Sequence, residues 1–299
     1  FATLISKLWS MQMVSSDYYD QLAVSNRTRT VTTSAPRGRI LDRNGVELVR
    51  NRASLAVTAY RDLADDPVLV RHLANVLGMP YVAVRRNIQD NTEGPQAQHT
   101  IATDVRRSTV AYIQEHAGEF TGVYVADRTE REYPYGTLAC HVLGYTGTIT
   151  SEQLQEQEEA EQTEGSIEYR SGDVVGQAGV ESRYERLLQG IRGEQTVTID
   201  ASGNVTGQVG EVPARAGSDI RLTIDVNIQK ACEDGLAYAI EVAHRAGYGN
   251  AQCGACVCLD CTNGEILGMA SAPTFDPSVF VGGVSSDIWS QLNSEESQN

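Results

Sequence analysis

The sequence predicts an α+β fold, and three observations carry that reading. Amphipathic helical stretches and extended runs follow one another irregularly, without the strand–helix–strand alternation of a parallel sheet. Two Asn-Gly dipeptides, Asn44-Gly45 and Asn263-Gly264, each join two extended runs, as tight hairpin turns do. With 299 residues, 41% of them apolar, the chain has material for a substantial core in about two domains. The net charge of −15, from 39 acids against 24 bases without a Lys/Arg block, excludes nucleic acid as a partner. Lys7 and Lys230 are the only lysines, so any chemistry that needs one has two candidates.

The opening FATLISKLWSMQMV places Phe1, Leu4, Ile5, Leu8 and Trp9 at helical spacing, but its 14 residues fall short of the roughly 20 that cross a bilayer. It reads either as the exit end of a membrane helix, with Lys7 and Trp9 at the interface, or as a short packing helix. No cleavable signal peptide is visible. TRTVTTSAPRGRILDRNGVELV then reads as two extended runs joined at Asn44-Gly45. Asp66 and Pro67 have the chemistry of an N-cap and first helical residue, with Leu69, Leu73, Val76 and Leu77 on one face and Gly78 as the stop. A second helix is expected near residues 81–90, a strand at HTIATDV, and a helix over 105–116 with Asp104 as its cap.

Residues 151–172, with Glu152, Glu156, Glu158, Glu159, Glu161 and Glu164 and little apolar content before Ile167, read as a solvated helix running into a loop, an exposed acidic insertion. The turn-rich stretch from Pro213 to Ser218 marks a boundary. Beyond it, IRLTID is an expected strand, and Asp225 caps a helix striped by Ile228, Cys232, Leu236, Ile240 and Ala243 that ends near Gly247. GACVCLD and EILGMAS form the second hairpin. One strand, one helix and one hairpin are too little for an independent sheet, so this second block reads as incomplete.

Several of these segments resemble class B penicillin-binding proteins. PRGRILDRNG at 36–45 is similar to the opening signature of their non-catalytic domain; REYPYGTLACHVLGYTG at 131–147 and GQAGVESRYERLLQGIRG at 176–193 match two further signatures, in order. SDIRLTIDVNIQ at 218–229 and GACVCLDCTNGEILGMASAPTFDP at 254–277 look like the start of the transpeptidase domain. Within the family, the Tyr-Pro-Tyr-Gly of 133–136 and the Glu/Gln-rich insertion before Gly176 resemble the elongation-type penicillin-binding protein 2 branch. The resemblance implies a membrane-exit helix and linker over 1–35, an elongated pedestal or dimerisation domain of hairpins and helices over 36–215, and the first part of an α/β transpeptidase domain over 216–299. The motif residues it singles out are Arg37, Gly38, Arg39, Asp42, Asn44, Gly45, Tyr133, Pro134, Gly136, His141, Gly144, Gly176, Gly179, Glu181, Tyr184, Thr223, Asp225, Asp260 and Gly264, read as structural rather than catalytic. Gly38, Gly45, Gly136, Gly144 and Gly264 suit turns or close backbone approach. Arg37, Arg39 and Asp42 suit charge-assisted bonds that tie the hairpin to the fold. His141, in a run read as strand-like, is expected to be structural.

The family's reaction needs a Ser-x-x-Lys helix turn, a Ser-x-Asn element and a Lys-Thr-Gly strand. Here Leu4 and Asn227 stand three residues before the two lysines, and neither lysine is followed by Thr-Gly. Ser202-Gly203-Asn204 and Ser297-Gln298-Asn299 match the loose Ser-x-Asn pattern and receive no role. The resemblance places the nucleophile shortly after ASAPTFDP, beyond this chain. It further implies placement outside the cytoplasmic membrane behind a single N-terminal anchor, no cofactor, D-alanyl-D-alanine stem peptides and β-lactams as ligands of the complete protein, and a glycan-polymerising membrane partner or a second copy as protein partners.

Three other readings stand beside this one. CGACVCLDC at 253–261 has Cys-x-x-Cys spacing suited to zinc, but strand alternation sends Cys256 and Cys258 to one face and Val257 and Leu259 to the other, which keeps four thiolates from converging. With Cys140 and Cys232 these make six cysteines, too few for a disulfide scaffold in a chain of this length and expected as small hydrophobes. A self-sufficient Ser-His-Asp hydrolase lacks any Gly-x-Ser-x-Gly elbow. A stand-alone interaction protein is the remaining alternative.

Overall fold

The computed structural model describes residues 28–89, 98–160, 169–170, 172–199, 205–283 and 290. The opening helix with Lys7, the end of the acidic insertion around Glu161 and Glu164, and both Ser-x-Asn matches lie outside the described residues. In chain order the elements are β1 (Thr28–Thr33), β2 (Ile40–Leu41), β3 (Glu47–Tyr60), α1 (Pro67–Leu77), α2 (Tyr81–Gln89), β4 (Gln98–Ala102), α3 (Arg107–Glu115), β5 (Val123–Glu132), α4 (Cys140–Leu143), β6 (Thr146–Thr148), α5 (Ser151–Ala160), β7 (Val174–Gly176), α6 (Gly179–Arg183), α7 (Glu185–Leu188), β8 (Gly193–Ile199), β9 (Val205–Val212), β10 (Ile220–Arg221), α8 (Val226–Arg245), β11 (Gly254–Leu259) and β12 (Ile266–Ala272). The fold is α+β.

Two compact units are present, and neither is consecutive in sequence. The smaller combines Phe1–Pro36 with Gly190–Gly217; the larger combines Arg37–Gln189 with Ser218–Asn299. In the smaller unit β1, β8 and β9 form one antiparallel sheet with β8 at its centre. At its base Ile191 and Arg215 exchange two backbone bonds of 2.8 Å.

In the larger unit the 14-residue strand β3 is the organiser. It pairs with β2 near its start, with β4 near its end, and with β5 along Arg50–Ala59. Its distal half, with α1, α2, β4 and α3, closes a core around Val57, Leu73, Ile88, Ile101 and Phe120. Its proximal half closes a second core around Ile40, Leu48, Val49, Tyr133, Leu143 and Leu188, to which Ile220, Leu222, Val226 and Val281 also pack. Helix α8 lies against the β11–β12 hairpin: Gln229, fully buried, bonds Met269 through both its amide nitrogen (2.8 Å) and its oxygen (2.7 Å).

Helix α1 follows its sequence signals closely. Asp66 accepts from the Val68 and Leu69 amides at 3.0 Å each, Pro67 occupies the first turn, and Gly78 ends the helix at φ +69°. Both Asn-Gly hairpins form, with Gly45 at φ +87° and Gly264 at φ +79°. Several expectations need correction. The run before Asn44 is not one strand, since β1 joins the smaller unit and only Ile40 and Leu41 pair with β3. IRLTID is a strand only over Ile220–Arg221, because it bonds two different neighbours: Leu222 N reaches Leu41 O (2.9 Å), while Thr223 Oγ1 donates to Ile266 O (2.7 Å). Asp104 does not cap α3; it turns at φ +51°, and both its oxygens accept from Arg52 at 2.8 Å. His141 lies in a helical turn, α4, bracketed by left-handed Ala139 and by Gly144. The β5 strand was not anticipated, because its charged second half hides the alternation of Val123 and Val125. Of the cysteines only Cys140 is fully buried; Cys253 and Cys261 are exposed.

Candidate functional site

The three signature segments meet in the larger unit, and a buried charge cluster joins them. Arg37, just before β2, donates from Nε to Glu181 Oε2 at 2.7 Å and from both Nη atoms to Glu185, at 3.0 and 2.5 Å. Arg131, at the end of β5, donates from Nε to Glu181 Oε1 at 2.7 Å and from Nη1 to Gly38 O at 2.8 Å and Asn51 Oδ1 at 2.9 Å. Asn51 in turn donates to Arg37 O, and Glu185 accepts from the Gly176 amide at 2.7 Å. Glu181 is fully buried and the Arg131 side chain is 3% exposed. Two cations face two anions, the condition under which buried charge is tolerated. Burial pulls Arg131 below its ordinary range against the pull of Glu181, whereas in Arg37 the two carboxylates outweigh burial and raise it.

The backbone crossing beside this cluster explains two of the glycines. A Cβ on Gly144, which sits at φ +76°, would lie 1.9 Å from Ala178 O; one on Gly179, at φ +60°, would lie 2.5 Å from Val142 O. The second and third signatures thus touch backbone to backbone, an approach that only glycine permits. Gly176 packs as closely on Glu181, and Gly136 turns at φ +58° between Tyr133 and α4. Tyr133 is buried, which pushes its phenol up, while Pro134 beside it is exposed. Tyr184 is half-exposed at the start of α7.

A second set of bonds runs from the β2–β3 hairpin to residues 219–265. Arg39 takes Asp219 through its backbone amide (2.7 Å), Nε (3.1 Å) and Nη2 (2.6 Å). Asp42, fully buried, holds its own turn through the Asn44 and Val46 amides (2.7 and 2.8 Å) and reaches the Val226 amide at 3.3 Å. Asn44 Nδ2 donates to Asp225 Oδ2 at 2.9 Å, while Asp225 Oδ1 caps α8 through the Asn227 amide at 2.9 Å. These bonds hold the Asp225 carboxyl below its usual range, the one from Asn44 contributing most. Arg43 pairs with Glu265 at 3.2 Å. On the far hairpin Asp260 accepts from the Thr262 amide and hydroxyl, at 2.9 and 2.5 Å.

The chain after β12 docks on the α4 turn. Phe280 stacks on Tyr145 with centroids 3.9 Å apart, and Phe275 presents edge contacts to His141 at 5.2 Å and Tyr145 at 6.1 Å. His141 is an aromatic packing partner there, with its Nδ1 3.3 Å from Cys140 Sγ. Sequence reasoning missed Asn51, Arg131, Glu185, Gln229 and Glu233 as members of these networks. Glu233 Oε1 accepts from both Gln229 Nε2 (2.8 Å) and the Ala139 amide (2.7 Å), a long-range pair that leaves no local sequence signal.

Comparison with known proteins gives a consistent picture. Residues 32–222 match the penicillin-binding protein dimerisation domain. The chain is 31% identical over 298 residues to the peptidoglycan D,D-transpeptidase MrdA of Salmonella typhimurium, covering 98% of this chain and 45% of that protein. Its fold is similar to that in the complex between penicillin-binding protein PBP2 and MreC from Helicobacter pylori, with a TM-score of 0.68 at 23% identity over 90% of this chain and 48% of that one. A chain in a structure describing coordination of polymerization and crosslinking by a peptidoglycan synthase complex matches with a TM-score of 0.58 at 27% identity, covering 98% and 48%. The chain therefore spans a little under half the length of each of these proteins.

Proposed function

Because this chain belongs to the class B penicillin-binding proteins of the elongation type, we propose that it is the pedestal of a peptidoglycan D,D-transpeptidase together with the first elements of the catalytic domain. Its work is to hold that domain in place outside the cytoplasmic membrane and to offer surfaces to partners in cell-wall synthesis. The observation that carries this reading is the second bond set above. The signature hairpin of residues 37–45 directs Arg39, Asp42, Arg43 and Asn44 to Asp219, Val226, Glu265 and Asp225, which lie beside β10, at the start of α8 and in the β11–β12 turn. Charge-assisted bonds of this kind fix register as well as contributing energy. A motif used to seat one domain on the next is what a pedestal requires.

The chemistry belongs to the longer protein. A serine nucleophile one helical turn before a lysine is needed for attack on a D-alanyl-D-alanine stem peptide, and this sequence has no Ser-x-x-Lys. A glycan-polymerising membrane protein and an MreC-like protein are the proposed partners, supported by one structural neighbour described in complex with MreC and another described in a peptidoglycan synthase complex that coordinates polymerization and crosslinking.

The experiment is labelling with a fluorescent penicillin. The complete gene product is expected to form a covalent, serine-dependent adduct, and residues 1–299 alone are expected to remain unlabelled. A labelled 1–299 chain, or a complete product that never labels, would overturn the proposal.

A further inference from the structure

Three thiols line one groove on the α8–hairpin layer. Strand alternation turns Cys256 and Cys258 toward α8 and leaves Val257 and Leu259 more than half exposed on the opposite face. Helix α8 comes close over this face because small residues lie beneath it. Leu236 Cδ1 is 2.9 Å from where a Cβ on Gly254 would sit, and Cys232 Sγ is 3.0 Å from the same position on Gly268. Gly268 is the cross-strand partner of Cys258, and Ala270 that of Cys256, so the helix thiol stands above the two strand thiols. Ile228, Ala231 and Gly235 complete the groove, which opens to solvent. Burial, and after it hydrogen bonding with Cys256, push the Cys232 thiol up to about 11.

We propose that Cys232 and Cys256 are a disulfide-forming pair that locks α8 onto β11, with Cys258 a bystander in the same groove. Cys256 and Cys258 cannot serve each other, because Cβ atoms two residues apart on a strand stand about 6.5–7 Å apart. A disulfide needs about 3.5–4.5 Å. The oxidant is a disulfide, either a small molecule or a protein of the disulfide-oxidoreductase class. The Cys256 thiolate attacks one of its sulfurs and expels a thiolate. Cys232, giving up its proton, then attacks Cys256 Sγ and expels the second. Two protein thiols become one disulfide, and the incoming disulfide leaves as two thiols carrying the two protons. The geometry stands on its own; only the presence of such an oxidant in the cell rests on the extracytoplasmic placement proposed above.

The test uses the 1–299 chain with Cys253→Ser and Cys261→Ser, which removes the two exposed thiols, reduced and then exposed to oxidised glutathione. Intact mass is expected to fall by two hydrogens. Peptide mapping is expected to join the peptide of Cys232 to that of Cys256, and the thermal midpoint is expected to rise by several degrees. Cys256→Ser abolishes all three changes, and Cys258→Ser leaves them intact. Glutathione adducts without the internal bridge, or a bridge from Cys232 to Cys258, overturn the proposal. Thiols trapped in cells expressing the complete protein separate the two readings: a pair that bridges in vitro but stays reduced in the cell keeps the chemistry and removes the extracytoplasmic placement. Penicillin labelling of the complete protein reads the transpeptidase assignment independently.

Discussion

At the scale of single residues, Glu181 has the most to lose. It receives Arg37 on one oxygen and Arg131 on the other without exposed surface, so removing it leaves the buried Arg131 without a carboxylate and Arg37 with Glu185 alone. Glu181→Ala is expected to lower unfolding free energy by about 3–5 kcal/mol, measured by urea titration. Gly144→Ala faces both a left-handed backbone and a carbonyl 1.9 Å from the new methyl; it is expected to cost more than the roughly 1–3 kcal/mol of backbone strain alone. Ion pairs near the surface give a pH signature. Asp104 and Asp219 are held below their ordinary range by hydrogen bonds from Arg52 and Arg39. Their contribution is complete above about pH 4, the unfolded carboxylate value, and is lost as pH falls through the lower folded values. Glu130 runs the other way: burial and then Asp104 raise its pKa, so it favours the fold at low pH and loses that contribution as pH rises through its folded value. Urea midpoints measured from pH 6 to pH 3 are expected to fall, and to fall less in Asp104→Asn. The sequence announced the arginines of the first signature and the glycines; it could not announce Arg131 or Glu185, whose partners lie dozens of residues away.

At the scale of elements, the chain was legible where the signal is local. Helix α1 with its Asp66 cap and both Asn-Gly hairpins depend on neighbours within four residues, and all three form. Strand β5 depends on β3, some 70 residues earlier, and its Asp127–Glu132 half carries no apolar alternation; pairing overrode composition there. The α8 start combines both cases, because Asp225 caps locally and also receives Asn44. Asp225→Ala is expected to lower stability through loss of the cap, and Asn44→Ala in that background should cost less than it does alone, measured by a double-mutant cycle. The segment after β12 is held by rings rather than by backbone pairing. Phe280, 7% exposed and stacked on Tyr145, is expected to cost about 3–5 kcal/mol on truncation to alanine, whereas Tyr145→Phe keeps the stack and should be nearly neutral.

At the scale of the whole molecule, the family match ends at residue 222 but the packing does not. Val226 and Val281 contribute to the core around Ile40 and Leu143, and Glu233 bonds the Ala139 amide. A chain ending at Gly217 is therefore expected to melt at lower temperature and to bind a hydrophobic dye that the 1–299 chain excludes. The α+β class was readable from the irregular order of elements and the turn dipeptides. The interleaving of the smaller unit, built from residues on both sides of the 153-residue excursion from Arg37 to Gln189, was not, because strand partners this distant leave no mark on local pattern.

That excursion sets a clock. The parallel pairing of Ile40 with Ile220 and the ion pair of Arg43 with Glu265 join positions separated by 180 and 222 residues. At ribosomal speeds of about 5–20 residues per second, the first signature waits roughly 10–40 s after it is made before its last partner exists. Throughout that interval Ile40 has only the part of its core that precedes Ile220, and Asp42 only its own turn. The segment that identifies this chain thus waits long for its distant partners, and during biogenesis it is a stretch in need of an escort.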